Sequence, residues 1–97
     1  MAQVIYSAHA LRQLEQAIKF PREDSPASAA ETLGAIRSAL DHLSAHPLVG
    51  RRVEDELREL VISFGATGFI ALYHFVVQKD EVRVLALRHQ REVGYLP

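Results

Sequence analysis

The chain has 97 residues, of which 48% are hydrophobic and 24% charged, and its formal net charge is −1. This size and composition predict one globular domain, residues 1–97, and exclude extensive disorder. The absence of cysteine excludes a disulfide framework and thiolate chemistry. A net charge so close to zero also argues against binding nucleic acid through bulk positive charge.

The sequence contains no apolar run of the roughly 20 residues that are needed to span a bilayer. The segment from Met1 to Tyr6 lacks the basic start and the long apolar stretch of a secretory signal peptide. We therefore expect a cytoplasmic protein that does not associate with a membrane.

The first twenty residues predict a strand followed by a helix. Gln3 to Tyr6 is a short apolar run, and Ser7 behind it suits a helix N-cap. Apolar residues then recur at three- and four-residue steps, which marks one helical face: Leu11, Leu14 and Ile18. Phe20-Pro21 should end this helix, because a residue before proline avoids the helical conformation.

A second helix is predicted from about Pro26 to Ala45. Ser25 would cap it, and proline is favoured at the first helical position. Its apolar face carries Leu33, Ile36, Leu40 and Leu43, and His46-Pro47 ends it. Two helices joined by a short connector predict an antiparallel helical hairpin.

The second half of the chain predicts three strands. They cover Leu57–Phe64, Phe69–Val77 and Val82–Arg88, with turns at Gly65–Gly68 and Gln78–Glu81. The resulting order is β-α-α-β-β-β. It defines an α+β fold in which a helical hairpin packs on an antiparallel sheet.

The predicted sheet is apolar on both faces. In the middle strand, alternation puts one group on one face (Phe69, Ala71, Tyr73, Phe75 and Val77) and another on the opposite face (Ile70, Leu72, His74 and Val76). Two helices cover only one face. The second face must therefore be covered by the C-terminal tail, by another copy of the chain, or by a different protein.

Four stretches in this order of elements resemble the RelE/ParE toxin superfamily. They are Leu43–Arg52, Leu57–Ile62, Phe69–Tyr73 and Val84–Glu92. They correspond to a helix that ends in Leu-x-x-x-Pro-x-x-Gly-Arg, a strand with Leu-Arg-x-Leu, a strand ending in Tyr, and a last strand running into a His/Arg-rich end.

The resemblance implies a cytoplasmic toxin that an antitoxin holds silent, as a possible homodimer or as a heterotetramer with the antitoxin. It also implies one of two targets. RelE-like members cut messenger RNA in the ribosome, whereas ParE-like members inhibit DNA gyrase. Neither activity implies a cofactor. His42 and His46 have a spacing that suits a metal, but no third ligand is evident, so we predict no metal site.

If the chain is RelE-like, the resemblance implies a metal-free endoribonuclease. Its catalytic residues would be Arg58, Arg91, His89 and Tyr95, and further contacts to the target or to phosphate would come from Arg51, Arg52 and Arg88. Each residue also has a structural interpretation. Arg58 could pair with Glu59, Tyr95 could anchor the tail, and His89 could be structural. Tyr73 suits a core aromatic with a hydrogen-bonded hydroxyl.

The departures from the RelE-like pattern favour a ParE-like toxin. The only lysines are Lys19 and Lys79, and acidic residues 54–56 follow Arg51-Arg52, where they would repel phosphate. We therefore expect gyrase inhibition, with ribosome-dependent RNA cleavage as the first alternative. A second alternative is a non-toxic interaction module with the same fold. Arg51-Arg52 and the acidic residues behind them are expected to form a solvated loop.

Overall fold

A computed structural model describes residues 1–19, 28–64, 67–92 and 94–95 of the chain. In chain order the elements are β1 (Gln3–Tyr6), α1 (Ala8–Lys19), α2 (Ala29–Asp41), β2 (Arg51–Glu54), β3 (Leu57–Phe64), β4 (Thr67–Val76) and β5 (Glu81–His89). Two short 3-10 turns occur at His42–Ser44 and Val77–Lys79. The predicted α+β class, with two helices packed on a sheet, is confirmed.

The five strands form one sheet in the order β1-β5-β4-β3-β2. The sheet is mixed rather than wholly antiparallel, because β1 pairs with β5 in the parallel sense while the other neighbours are antiparallel. A parallel pair needs a long crossover, which the helices and the intervening strands supply. Alternation of residue types predicts strands but does not give their order.

Residues 51–56 were expected to form a solvated loop; they are exposed as expected, but residues 51–54 form strand β2 and not a loop. Its four residues are exposed and none of them is apolar except Val53, so no alternating pattern marks them as a strand. The strand forms because its backbone pairs with the edge of β3, where Arg51 lies opposite Glu59. Asp55 then turns the chain with a positive φ of 48°.

Helix α1 begins as predicted. The Ser7 hydroxyl accepts the backbone N–H of Ala10 at 3.0 Å and donates to the carbonyl of Leu85 at 3.0 Å, so the cap also attaches the helix to β5. The helix runs to Lys19. The predicted stop at Phe20-Pro21 lies outside the described residues.

Helix α2 begins three residues later than predicted. Ser28 is its N-cap, with an extended backbone and a hydroxyl that accepts the N–H of Glu31 at 3.2 Å. The predicted cap and first residue, Ser25-Pro26, lie outside the described residues. The helix ends at Asp41, where the chain tightens into a 3-10 turn.

The core lies between the helices and one face of the sheet. Its buried side chains are Ala2, Ala10, Ile36, Leu40, Leu43, Ile62, Phe69, Ala71, Tyr73, Val82, Val84 and Leu87. The N-terminal segment is attached to the end of the helical layer. The N–H of Ala2 donates to the carbonyl of Ser44 at 2.8 Å, and the Ser44 hydroxyl donates to the carbonyl of Ala2 at 2.6 Å.

Candidate functional site

The sheet has one face beneath the helices and a second face that the helices leave uncovered. Ala71 and Tyr73 of β4 are both 0% exposed, whereas the residues that alternate with them are only half-buried. We call this second face, which carries Ile70, Leu72, His74 and Val76 of β4, the open face. The prediction that β4 has two apolar faces is confirmed.

One extra residue, Leu85, interrupts the pairing of β4 with β5. Leu72 lies opposite Ala86 while Tyr73 lies opposite Val84, so Leu85 forms a bulge. A bulge reverses the alternation of side chains along the rest of its strand. Each side chain at the end of β5 therefore lies on the face opposite to the one that simple alternation from Val84 would predict.

The bulge sends Arg88 and His89 to different faces. Arg88 lies opposite Ile70 and so belongs to the open face. His89 lies opposite Phe69 on the helix side, where the two rings meet edge to face with centroids 5.4 Å apart. The direction of both side chains, and hence the function each one can have, depends on this single inserted residue.

Four side chains from separate segments meet on the open face. Glu59 of β3 is 9% exposed, and its Oε1 accepts a hydrogen bond from Nη2 of Arg51 in β2 at 2.8 Å. Its Oε2 accepts a hydrogen bond from the Tyr95 hydroxyl at 2.7 Å. The guanidinium carbon of Arg88 lies 5.2 Å from the centre of the Tyr95 ring. We call Arg51, Glu59, Arg88 and Tyr95 the clasp, because together they hold the tail on the sheet.

The clasp is electrostatically polarised around Glu59. The hydrogen bond from Tyr95 holds the pKa of the Glu59 carboxyl below its usual value; burial opposes this, and Arg51 adds to it. The pKa of Tyr95 is raised, first by burial and then by the Glu59 carboxylate. At neutral pH the clasp therefore contains a carboxylate that accepts and a phenol that keeps its proton.

Arg58 lies on the other side of the sheet, opposite Tyr73. Its Nη1 donates to the carbonyls of Leu48 at 3.0 Å and Gly50 at 2.8 Å, while the N–H of Gly50 donates to the Tyr73 hydroxyl at 2.8 Å. Burial raises the pKa of Tyr73, so this hydroxyl stays protonated. Tyr73 is thus the predicted core aromatic with a hydrogen-bonded hydroxyl.

The alternative interpretation of Arg58, as an ion-pair partner of Glu59, was wrong. Adjacent residues of a strand point to opposite faces, so Glu59 pairs with Arg51 and Arg58 binds loop carbonyls instead. Glu59 itself was missed as a site residue. The available signal was a lone carboxylate that alternates with Leu57 and Val61 on an otherwise apolar strand face, because buried carboxylates are rare unless paired.

The remaining predicted residues lie near the end of β5 and in β2, and one of them is buried while two are exposed. His89 is 5% exposed, and its Nδ1 accepts the N–H of Arg91 at 3.2 Å. The Arg91 side chain is exposed. Arg52 is also exposed and donates to the carbonyl of Asp55 at 2.8 Å.

The structure therefore divides the predicted residues into two groups. Arg58 and His89 belong to the helix side, whereas Tyr95 belongs to the open face, so three of the four predicted catalytic residues do not face a common point. Arg51 and Arg88, predicted to bind phosphate or target, do meet on the open face beside Tyr95. The catalytic and binding assignments themselves stay predictions.

The described part of the chain contains no group of three or more His, Asp and Glu side chains that could hold a metal ion. None of its helices combines the length and the apolar character that a membrane crossing requires.

The fold is that of RelE toxins. The structure aligns with a chain of the intact RelBE toxin–antitoxin complex of E. coli with a TM-score of 0.67 at 10% identity, covering 95% of this chain and 100% of that one. It aligns with a chain of the RelBE2 toxin–antitoxin complex of Mycobacterium tuberculosis with a TM-score of 0.64 at 25% identity, covering 92% and 98%. Two helices on a five-stranded mixed sheet thus define the structural class.

The sequence comparisons give the family. A family model described as "ParE toxin of type II toxin-antitoxin system, parDE" matches residues 4–94. Toxin RelE3 of Caulobacter vibrioides is 32% identical over 92 residues, which cover 95% of this chain and 98% of that protein. The chain belongs to the family that this ParE toxin model describes, within the RelE/ParE superfamily that the sequence motifs predicted.

Proposed function

We propose that this toxin inhibits DNA gyrase when it is free and that it does not cut messenger RNA. The observation that carries the proposal is the separation of the predicted ribonuclease residues. Metal-free RNA cleavage needs cations and an acid or base within reach of one phosphate. Here Arg58 and His89 serve contacts on the helix side, and Tyr95 serves the opposite face.

The contacts of Arg58 support the same conclusion. Two loop carbonyls already accept hydrogen bonds from its guanidinium, which therefore stabilises the backbone before β2. His89 is buried against Phe69, and its Nδ1 accepts a backbone N–H. These residues act within the fold, so the toxic action is better explained by docking to a protein target than by cleavage of RNA.

Ribosome-dependent RNA cleavage is the second candidate, because two observations favour it. The relative from Caulobacter vibrioides that is 32% identical carries the name RelE3. In addition, Arg51, Arg88 and Tyr95 meet on one surface. In this candidate that surface would bind the messenger.

We further propose that a cognate antitoxin neutralises the toxin by covering the part of the open face that the tail leaves free. The solved structures of similar proteins include toxin–antitoxin complexes, which supports such a partner. The tail reaches Glu59 and Arg88, opposite Leu72 and Ile70, so it covers one end of the face. The half-buried Val76 lies at the other end.

The two candidate targets are separated by assays on the purified chain. We expect it to block DNA supercoiling by gyrase and to leave messenger RNA intact in a cell-free translation reaction. In cells, induction should produce filaments and a DNA-damage response while bulk translation continues. Codon-positioned messenger cuts without any effect on supercoiling would contradict the gyrase proposal.

A matched pair of variants tests which surface of the toxin contacts gyrase. The C-terminal segment that begins at Arg88 is the proposed gyrase contact, so Arg91→Ala should weaken inhibition of supercoiling. Arg12→Ala removes the same side chain from an exposed position on α1 and should leave inhibition unchanged. Equal effects of the two substitutions would place the contact elsewhere. Circular dichroism checks that both variants are folded.

A further inference from the structure

We propose that Glu59 is a specificity-determining residue whose carboxylate occupies the position on the open face where a nucleic-acid phosphate would bind, and thereby excludes RNA from this face. The inference rests on the proposed function in one respect: it explains why a toxin with this fold does not cut RNA. It concerns binding to the open face, whereas the gyrase proposal concerns the target.

The groups around Glu59 are those that bind phosphate in other proteins. Guanidinium groups and phenol hydroxyls donate strong hydrogen bonds to anionic oxygens. In the clasp, Arg51 donates to one carboxylate oxygen at 2.8 Å and Tyr95 donates to the other at 2.7 Å. The Glu59 side chain is only 10% exposed, so its carboxylate fills the space between these donors.

Arg88 adds a second cation, and one of its N–H groups has no hydrogen-bond partner in the described part of the chain. Its Nη1 donates to the carbonyl of Glu92 at 2.7 Å, and its plane lies close to the Tyr95 ring. Its Nε is buried and has no hydrogen-bond partner within the described part of the chain. The site thus contains two guanidinium groups and one carboxylate, which leaves a net positive charge that an external anion could use if the carboxylate were absent.

The carboxylate prevents that use in two ways. It engages Nη2 of Arg51 and the hydroxyl of Tyr95, and its negative charge repels any phosphate that approaches Arg88. An internal group that blocks an unwanted ligand by like-charge repulsion is a common source of specificity. Neutralising Glu59 without changing its length should therefore remove this repulsion and let a phosphate approach Arg88.

The test measures binding of a fluorescein-labelled oligouridylate by fluorescence anisotropy at low salt. Glu59→Gln keeps the length of the side chain and removes its charge, and it should bind the RNA about tenfold more tightly than the native chain. The gain should shrink as salt is added. Glu54→Gln makes the same change of net charge at an exposed position of β2 and is the matched control, for which we expect no gain.

Two further variants distinguish the effect of removing the negative charge of Glu59 from the effect of detaching the tail. Arg88→Gln in the Glu59→Gln background should abolish the gain, because it removes the cation that would bind phosphate. Tyr95→Phe loosens the tail but keeps the carboxylate, so it should show no gain. Should Glu59→Gln fail to fold, Glu59→Met replaces it; failure of both would show that the carboxylate is required for folding and would overturn the proposal.

The proposal is also overturned if Glu59→Gln binds RNA no better than the native chain, if Glu54→Gln gains as much, or if Tyr95→Phe gains with its carboxylate intact. These outcomes are independent of the supercoiling assay. A native chain that fails to inhibit gyrase would contradict the proposed function alone. An unchanged affinity of Glu59→Gln for RNA would contradict this inference alone.

Discussion

Two glycines have opposite surroundings in this fold. Gly50 lies against the sheet, where an added Cβ would be 2.6 Å from the Tyr73 ring and 2.8 Å from the carbonyl oxygen of Glu59. The second of these contacts involves backbone, which cannot rotate away. Gly34 lies within α2, and an added Cβ there would meet nothing within 4 Å.

The two positions should therefore respond to alanine with opposite signs. Gly50→Ala should lower the free energy of unfolding by about 1–3 kcal/mol, because it overpacks the loop against Tyr73. Gly34→Ala should raise it by about 0.5–1 kcal/mol, because alanine is the better helix former. Urea unfolding followed by circular dichroism measures both. A stabilised Gly50→Ala variant would show that the loop moves freely.

Residue types alone predicted part of the site. The arginines at 51 and 88 were identified as candidate binding residues, and both lie on the open face. The bulge at Leu85 was not predictable from alternation, because one inserted residue in an apolar strand leaves a pattern that is apolar in either register. The side of the sheet on which Arg88 and His89 lie therefore became clear only with the strand pairing.

At the level of elements, the strands were predicted more closely than their arrangement. β3 has the predicted bounds, Leu57–Phe64, as its run of β-branched and apolar residues ahead of a glycine in the sequence indicated. β2 was missed, since its formation depends on the neighbouring strand and not on its own residues. The parallel position of β1 beside β5 is a property of the whole topology, which local patterns do not encode.

The clasp joins β2, β3, β5 and the tail, and its contribution to stability should depend on pH. The folded-state pKa of Glu59 is lowered from 4.5, so the carboxylate stabilises the fold above that pH and loses its contribution as the pH falls through the lowered value. We expect the difference in unfolding free energy between the native chain and Glu59→Gln to shrink in this acidic range.

Tyr95→Phe is the control for this pH dependence. Its hydroxyl is the largest cause of the lowered pKa of Glu59, so the variant should show a weaker dependence of stability on acid than the native chain. Urea unfolding across a series of acidic buffers measures all three proteins. A pH dependence that is identical in the native chain and in Tyr95→Phe would contradict the assigned cause.

At the scale of the whole molecule, the sheet is covered unequally. The helices bury one face, and the tail covers the end of the open face near Glu59 and Arg88. The far end, which carries Val76, contributes half-buried apolar side chains to the surface. Apolar surface of this kind on a sheet favours association with a partner. The sequence predicted that the tail, another copy of the chain or a different protein would cover this face, and the tail accounts for only part of it.

The adjacent residues Val76 and Val77 test whether the antitoxin occupies that far end. Val76 is half-buried on the open face opposite Glu81, which would accommodate a lysine, whereas Val77 is 68% exposed in the turn that follows. Val76→Lys should weaken antitoxin binding about tenfold or more and reduce self-association of the free chain, because it places a charge within the buried centre of the interface. Val77→Lys should change neither. Biolayer interferometry with the purified antitoxin measures affinity, light scattering measures association, and circular dichroism checks folding. Unchanged antitoxin affinity in folded Val76→Lys would place the antitoxin on a different surface.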